Sequence, residues 1–298
     1  MRARSPSRSP FAVCAIAAIV LQSLSSVPSR AGAQGECLLA LENQTGEGGR
    51  LLDVATIDAG GTVRGANGTN FRQTDLVFRP EAKFGPDAPE IAANSLLFQP
   101  VAASGDRWGR QVGNLIESET GAPIALTWIM AGRAIVAPEA LPLNCLDMLL
   151  AAETDAREKR RGLWRTEKIF WAGDPALEER AGQFTLVEGR LLSIGQAGKT
   201  HYLNFGRDWS SDFTATIDTK QKSAFDAAGI DLAALKGKRV RLRGVIVRDR
   251  GPAIRLEHTA QIELKDKGIS GETAWRPSNK RAVADNRSKP SKQTATAR

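Results

Sequence analysis

Histidine and cysteine are scarce in this chain, and so are long apolar runs. The two histidines and three cysteines stand among 298 residues. His201 and His258 are far apart in sequence, with no cysteine or acidic partner at ligand spacing, so neither is assigned to a metal site. The sequence has no Cys-x-x-Cys pair, no Walker phosphate loop and no Ser-His-Asp signal. Redox dithiol chemistry, nucleotide hydrolysis of the P-loop kind and triad acyl transfer are therefore set aside. One apolar run exists, Phe11 to Leu24. It has the length of a signal-peptide core and is short for a membrane span.

What surrounds that run reads as an export signal. Arg2, Arg4 and Arg8 precede it, and Ala31-Gly32-Ala33 supplies a small-x-small cleavage site. Residues 1–33 are expected to be a signal peptide, with Gln34 the mature start and an uncleaved anchor as the alternative. The expected location is secreted or periplasmic, with no membrane span after cleavage. The formal net charge of +8 belongs to the ends. The signal carries four arginines and no acid. The segment 265–298 carries nine Lys and Arg against Asp266, Glu272 and Asp285, a balance of +6. Removing both leaves −2 for residues 34–264, so bulk charge gives no argument for nucleic acid in the folded part. Cys37 and Cys145 remain as an even pair in an exported chain, where disulfides persist. A bond between them would close a loop worth about 4–5 kcal/mol in the chain-entropy model; two buried free thiols are the alternative.

The pattern predicts an α+β chain that is mainly β. Leu51 to Ile57, Thr62 to Arg64 and a segment from Phe71 to near Pro80 read as short strands. They are joined by the Asp58-Ala-Gly-Gly61 turn and the Asn67-Gly68 hairpin signal. Pro89 starts a possible short helix running through Leu97 to Pro100. Gln111 to Ile116 and Ile135-Val136 are extended, and Ile124 to Ala131 has helical spacing. Leu146 to Trp164 is the clearest helix, with Asn144 as expected N-cap and Gly162 as its stop. Residues 166–183 read as a linker between a first domain, 34–165, and a second, 184–264. The second runs strand (184–194), strand (200–205), strand (213–217), helix (222–228), strand (238–247) and two short strands (254–256, 261–264). This is the order of an oligonucleotide/oligosaccharide-binding (OB) barrel. The segment 265–298 is expected to be a disordered basic tail.

Two motifs carry a family likeness. Asp106-Arg107-Trp108-Gly109-Arg110 resembles the Asp-Arg-Tyr-Gly-Arg motif of the thermonuclease (staphylococcal-nuclease-like) family. Ala152-Glu153, Ala156-Arg157 and Gly162-Leu163-Trp164 resemble that family's C-terminal helix signature, and Gly132-Arg133-Ala134 to Pro138 fits between them. The resemblance covers about residues 50–165 and implies an OB-like five-stranded barrel with helices. It implies phosphodiester hydrolysis in DNA or RNA by two arginines, an aspartate-held calcium ion and a glutamate that helps activate water. Fixed cations there stabilise charge that grows on the phosphoryl oxygens in the transition state. On that pattern Arg110 and Arg72 match the two arginines, and Glu81, in Phe78-Arg79-Pro80-Glu81, is the preferred glutamate over Glu90. The family's calcium turn falls on Asp58-Ala-Gly-Gly61-Thr62-Val63, with Gly61 in place of an aspartate, and Phe78 stands where another is expected. Calcium is thus the family's metal, and no metal ligand is assigned here.

The remaining candidates are binding residues. Trp108 is expected either to stack on a base or to sit at the edge of the core, with Arg107 beside it. Arg110 has a structural alternative, pairing with Asp106 or Glu153. Glu153 reads best as a buried carboxylate that ties down a loop. In the second domain, Tyr202, Trp209 and Arg241 head an aromatic and basic set suited to single-stranded DNA or RNA, along a strand where Arg239, Arg241 and Arg243 face away from Val240, Leu242 and Val245. The expected function is nucleic-acid or phosphate-polymer binding. The alternatives are an active nuclease using Arg72, Glu81 and Arg110, and a non-catalytic envelope scaffold.

Overall fold

The computed structural model describes residue 37 and residues 50–79, 96–102, 104–208 and 211–265. The expected signal peptide, Glu81, the segment from Pro86 to Glu90, Trp209 and the tail beyond Lys265 lie outside the described residues. The fold is mixed α and β, mostly strands with few helices, in curled half-barrel sheets consistent with a staphylococcal-nuclease or OB-like fold.

The first sheet is built from β1 (Arg50–Leu52), β2 (Val54–Ile57), β3 (Thr62–Gly65), β4 (Asn70–Gln73), β6 (Leu96–Pro100) and β7 (Gln111–Glu117), in the order β1-β6-β7-β4-β3-β2. The two ends of that path are the halves of one expected strand, parted at Asp53, so the sheet curls back toward its own first strand. Turn chemistry sets the hairpins. Asp58 accepts from the Thr62 N–H at 2.9 Å, and Gly61 takes a φ of +76°. Asn67 accepts from Thr69 N–H, and Gly68 takes +83°. Along β4, Phe71 and Gln73 are buried while Arg72 turns outward, the period-2 alternation of a half-buried strand. The helix expected to run through Leu97 is corrected: Leu96–Pro100 pairs with both β1 and β7, which buries Leu96 and Phe98.

Two helices cover this sheet, together with a small pair of strands, β5 (Leu76–Phe78) and β8 (Ala134–Val136). Helix α1 is Ile124–Met130 and α2 is Leu143–Glu158. The expected start and stop of α2 are both shifted. Pro142, not Asn144, is the N-cap, with φ −57° and ψ 152°, and no side chain caps the helix. The helix ends at Glu158, Arg160 takes a φ of +51°, and Gly162–Arg165 forms a separate 3-10 turn. Cys37 and Cys145 are joined by a disulfide, tying the start of α2 to a residue 108 positions earlier.

The second sheet contains β9 (Phe170–Trp171), β10 (Phe184–Arg190), β11 (Ser193–Ala197), β12 (Thr200–Asn204), β13 (Thr214–Asp218), β14 (Arg239–Asp249) and β15 (Gly251–Arg255) in the order β11-β12-β13-β15-β14-β10-β9. The last strand, β16 (Ile262–Leu264), pairs with β14. Helix α3 (Lys222–Ala227) lies between β13 and β14 in the chain and buries Phe225. Here too the path runs between the two halves of one bent strand, β11 and β10, and its third and fifth long strands, β13 and β15, are parallel. The first sheet has the same plan, with β4 and β7 as the parallel pair. The stretch 166–183 is structured rather than extended: β9 pairs with β10, and Asp174 caps a 3-10 turn over Pro175–Arg180 by accepting from Ala176 N–H.

The two sheets meet through charge. Arg243 on β14 is 1% exposed and reaches Glu153 on α2, which is 0% exposed, at 3.1 Å through each of two nitrogens. It also donates to the Val136 carbonyl at 2.8 Å and pairs with Glu263. Glu153 accepts from Val136 N–H at 2.7 Å and pairs with Arg157 at 3.3 Å. The carboxylate therefore ties down β8, as expected from the sequence, and also receives the second half of the chain. This corrects the reading of β14 as a strand with one basic, open face. Arg241 and Arg243 are buried in ion pairs, while Val245 is exposed.

Candidate phosphate-binding site

The loop between β6 and β7 closes on Asp106. Its Oδ1 accepts from the backbone N–H groups of Trp108 and Arg110, each at 3.0 Å. Its own N–H donates to the Arg110 carbonyl at 2.8 Å, and Gly109 donates to its carbonyl at 2.8 Å. Gly109 holds a φ of +75°, which an L side chain adopts rarely, so the turn needs glycine there. Aspartate folds the loop and glycine lets it close.

The same carboxylate joins the two arginines that the sequence singled out. Arg110 donates Nε and Nη2 to Asp106 Oδ2 at 2.9 and 2.8 Å, and Arg72 Nε stands 3.7 Å from that oxygen. Strand β4 runs parallel to β7, with Arg72 opposite Val112. This pairing carries a residue of the first hairpin to the mouth of the Asp106 loop. Burial acts to raise the Asp106 pKa, but the hydrogen bonds from Arg110 and from the two backbone N–H groups hold it below the ordinary carboxylate value.

Sequence reasoning missed two acidic residues of the site. Glu139 takes Arg72 in a fork, Nη1 to Oε2 at 2.9 Å and Nη2 to Oε1 at 2.8 Å. Chiefly through that bond, against the opposing effect of burial, the Arg72 pKa is raised. Glu139 is placed by Asp75, a buried residue with a φ of +61°. The Asp75 carboxylate gathers the N–H groups of Glu139, Ala140 and Leu141 at 2.6, 3.0 and 3.1 Å. Burial raises the Asp75 pKa, and these donors only partly offset it. One sign was present: an aspartate directly before the apolar Leu76-Val77-Phe78 run marks a break between two strands.

The rim is aromatic and basic. Trp108 is 63% exposed, which places it outside the core. The Arg107 guanidinium lies 3.9 Å from its ring centre and that of Arg110 lies 5.0 Å away, both within cation–π range. Arg72, Arg107, Trp108 and Arg110 are thus brought together. Tyr202 and Arg241 are not part of this group. Arg241 is held by Glu188 at 2.8 and 2.5 Å and stands 3.6 Å from Glu263.

The turn expected to hold the family metal is filled by an aromatic ring. A Cβ added at Gly61 would lie 2.2 Å from the Phe78 ring. Phe78 itself packs edge-on against the buried Trp128, with ring centres 5.2 Å apart. The two positions at which the family pattern places aspartates are therefore in contact as glycine and phenylalanine. Asp58 spends one carboxylate oxygen on the turn itself.

Comparison with known families agrees with the motif reading. Residues 52–166 match the family model described as staphylococcal nuclease homologue. No curated protein matches the chain. The family match ends before β9, so the second sheet lies beyond it.

Proposed function

We propose, for a chain whose residues 52–166 match the staphylococcal nuclease homologue model, that it is an exported protein that binds single-stranded nucleic acid or another phosphate-bearing polymer without calcium-dependent cleavage. A domain of this type carries a nuclease-type or nucleic-acid-binding role. The observation that carries the binding reading is Trp108, exposed at the tip of the Asp106 loop with Arg107 and Arg110 against its ring. An exposed indole gives a base a stacking surface, and guanidiniums beside it meet phosphate oxygens. The Cys37–Cys145 bond supports an oxidising destination, in keeping with the export signal.

The residues present do not fit a calcium ion. Calcium takes six to eight oxygen ligands, and the Gly61 and Phe78 positions supply a hydrogen atom and a ring. No catalytic step is derived through a metal. What the chain's own residues do is hold an anion. Two guanidiniums, on Arg72 and Arg110, face two carboxylates, on Asp106 and Glu139, and a third, on Arg107, lies over the Trp108 ring. Glu139 already occupies the fork of Arg72 as a phosphate would, so a bound phosphate must displace it. This favours modest affinity and weak salt dependence, with two or three phosphate contacts giving a logarithmic slope of about −1.4 to −2.1 on single strands.

The test is fluorescence anisotropy of labelled single-stranded DNA and RNA against the purified chain over a range of salt. Binding that falls with salt at that slope, and that weakens in Arg110→Ala, is expected. Metal-dependent cleavage lost in Arg110→Ala would instead establish an active nuclease. No cleavage and no salt-sensitive binding would leave the fold as a scaffold for protein contacts.

A further inference from the structure

The two carboxylates that face Arg72 and Arg110 are held in different ways. Asp106 is built into its loop. One of its oxygens takes the Trp108 and Arg110 N–H groups, and its side chain is 14% exposed. Glu139 is fixed through its backbone instead. Its N–H and those of Ala140 and Leu141 go to the buried Asp75 carboxylate, and Ala137 N–H donates to the Asp75 carbonyl at 2.7 Å. The Glu139 side chain is 47% exposed, and its two oxygens go to Arg72.

One strained residue sets up this pairing. Asp75 lies between β4, which carries Arg72, and β5, which pairs with β8 just ahead of Glu139. Its φ of +61° is a sparsely populated conformation for a residue with a side chain, and such positions persist where the surroundings over-determine them. Asp75 thereby fixes the backbone on both sides of the ion pair. The Arg72 nitrogens are spent as a result, Nη1 and Nη2 on Glu139 and Nε toward Asp106. A carboxylate across the two end nitrogens of a guanidinium has the geometry of a bound oxyanion.

We propose that Glu139 is an autoinhibitory latch on this site, closed on Arg72 in the free protein and swung out when a ligand phosphate takes its place. The inference rests on the phosphate-binding reading above and adds to it the residue that sets the affinity. Asp106 cannot play this part, because its release would undo the loop that carries Arg110. Glu139 can, since rotation about its side-chain bonds frees Arg72 while the N–H groups of the latch segment stay on Asp75. Opening is cheap, because an ion pair with one partner half in water is weak. The latch therefore lowers affinity without shutting the site. It also selects for polymers. A lone phosphate at Arg72 only replaces the two hydrogen bonds that Glu139 already makes. A strand replaces them and gains Arg107, Arg110 and the Trp108 ring as well.

The experiment is anisotropy of labelled decathymidylate over a range of salt, with the purified parent chain, Glu139→Gln, Arg72→Ala and the double variant. Glu139→Gln is expected to bind about twofold to tenfold tighter than the parent. Its logarithmic salt slope should be steeper by about 0.7, because no released carboxylate draws a cation back from solution. In the Arg72→Ala background the same substitution should change affinity by less than about twofold. A gain that came only from removing one negative charge would survive there. If Glu139→Gln does not fold, Glu139→Ser takes its place with the same expectation. Parent binding that Glu139→Gln leaves unchanged, or a gain that persists without Arg72, would overturn the latch and leave the binding reading standing. Binding by Glu139→Gln with none by the parent would uphold the latch and overturn binding by the parent chain. No binding by either would overturn both.

Discussion

Asp106 does more at the residue scale than its motif suggests. It folds its own loop through backbone N–H groups and holds Arg110 and Arg72 with its second oxygen. The motif's functional letters depend on it, because without this carboxylate the two guanidiniums would repel one another. Trp108 depends on it less and is open to solvent, so Trp108→Ala isolates the stacking contribution. Its single-strand affinity should fall by about 1–3 kcal/mol, roughly fivefold to 150-fold, with the melting temperature unchanged. Anisotropy and thermal unfolding of the same sample check both halves. Gly61→Asp tests the metal reading from the other side. A carboxylate there collides with the Phe78 ring and sits at positive φ, so destabilisation of about 1–3 kcal/mol is expected. Melting curves should show no calcium-induced gain in this variant.

At the scale of elements, the link between β14 and α2 is the most demanding contact. Arg243→Met leaves Glu153 buried with Val136 N–H and Arg157 as its remaining partners. Removing one partner of a buried pair costs about 3–5 kcal/mol. Arg243→Met combined with Glu153→Gln should recover part of this, and denaturant titration of both variants measures the difference. The disulfide acts on the same helix at its other end, and reduction should lower stability by about 4–5 kcal/mol in the chain-entropy model, readable as a reductant-induced drop in Tm. Much of this level was legible in the sequence. The strands of both sheets follow from alternation and turn residues, and Glu153 was readable as a carboxylate tying down a loop because a charge on the apolar face of a helix needs a partner. The identity of its second partner was not readable. Arg243 alternates with valine and leucine as a solvated stripe would, and only the docking of two sheets buries it. Glu139 was hidden for a similar reason, since its placement depends on Asp75, 64 residues earlier. The strand at Leu96–Pro100 was missed because an apolar run as short as Leu96-Leu97-Phe98 gives a helix and a strand the same letters.

The molecule as a whole is two sheets of one plan, joined by buried charge. That joint makes its stability depend on pH in a definite direction. Burial pushes the Glu263 carboxyl up, but Arg243 and Arg241 outweigh it and hold the pKa below the ordinary glutamate value. A carboxyl whose pKa is depressed in the folded state contributes stability that is complete above its unfolded value of about 4.3 and is lost as pH falls through the lower folded value. Melting temperature should therefore drop steeply below about pH 4, and Glu263→Gln should start lower at neutral pH and fall less over that range. The central claim is binding without calcium-dependent cleavage. Its most direct measurement follows one labelled single strand with the purified chain, in calcium and in chelator, reading anisotropy and strand length from the same tubes. The account predicts equal, salt-sensitive binding in both and an intact strand throughout. Shortening of the strand in calcium that stops in chelator would contradict it.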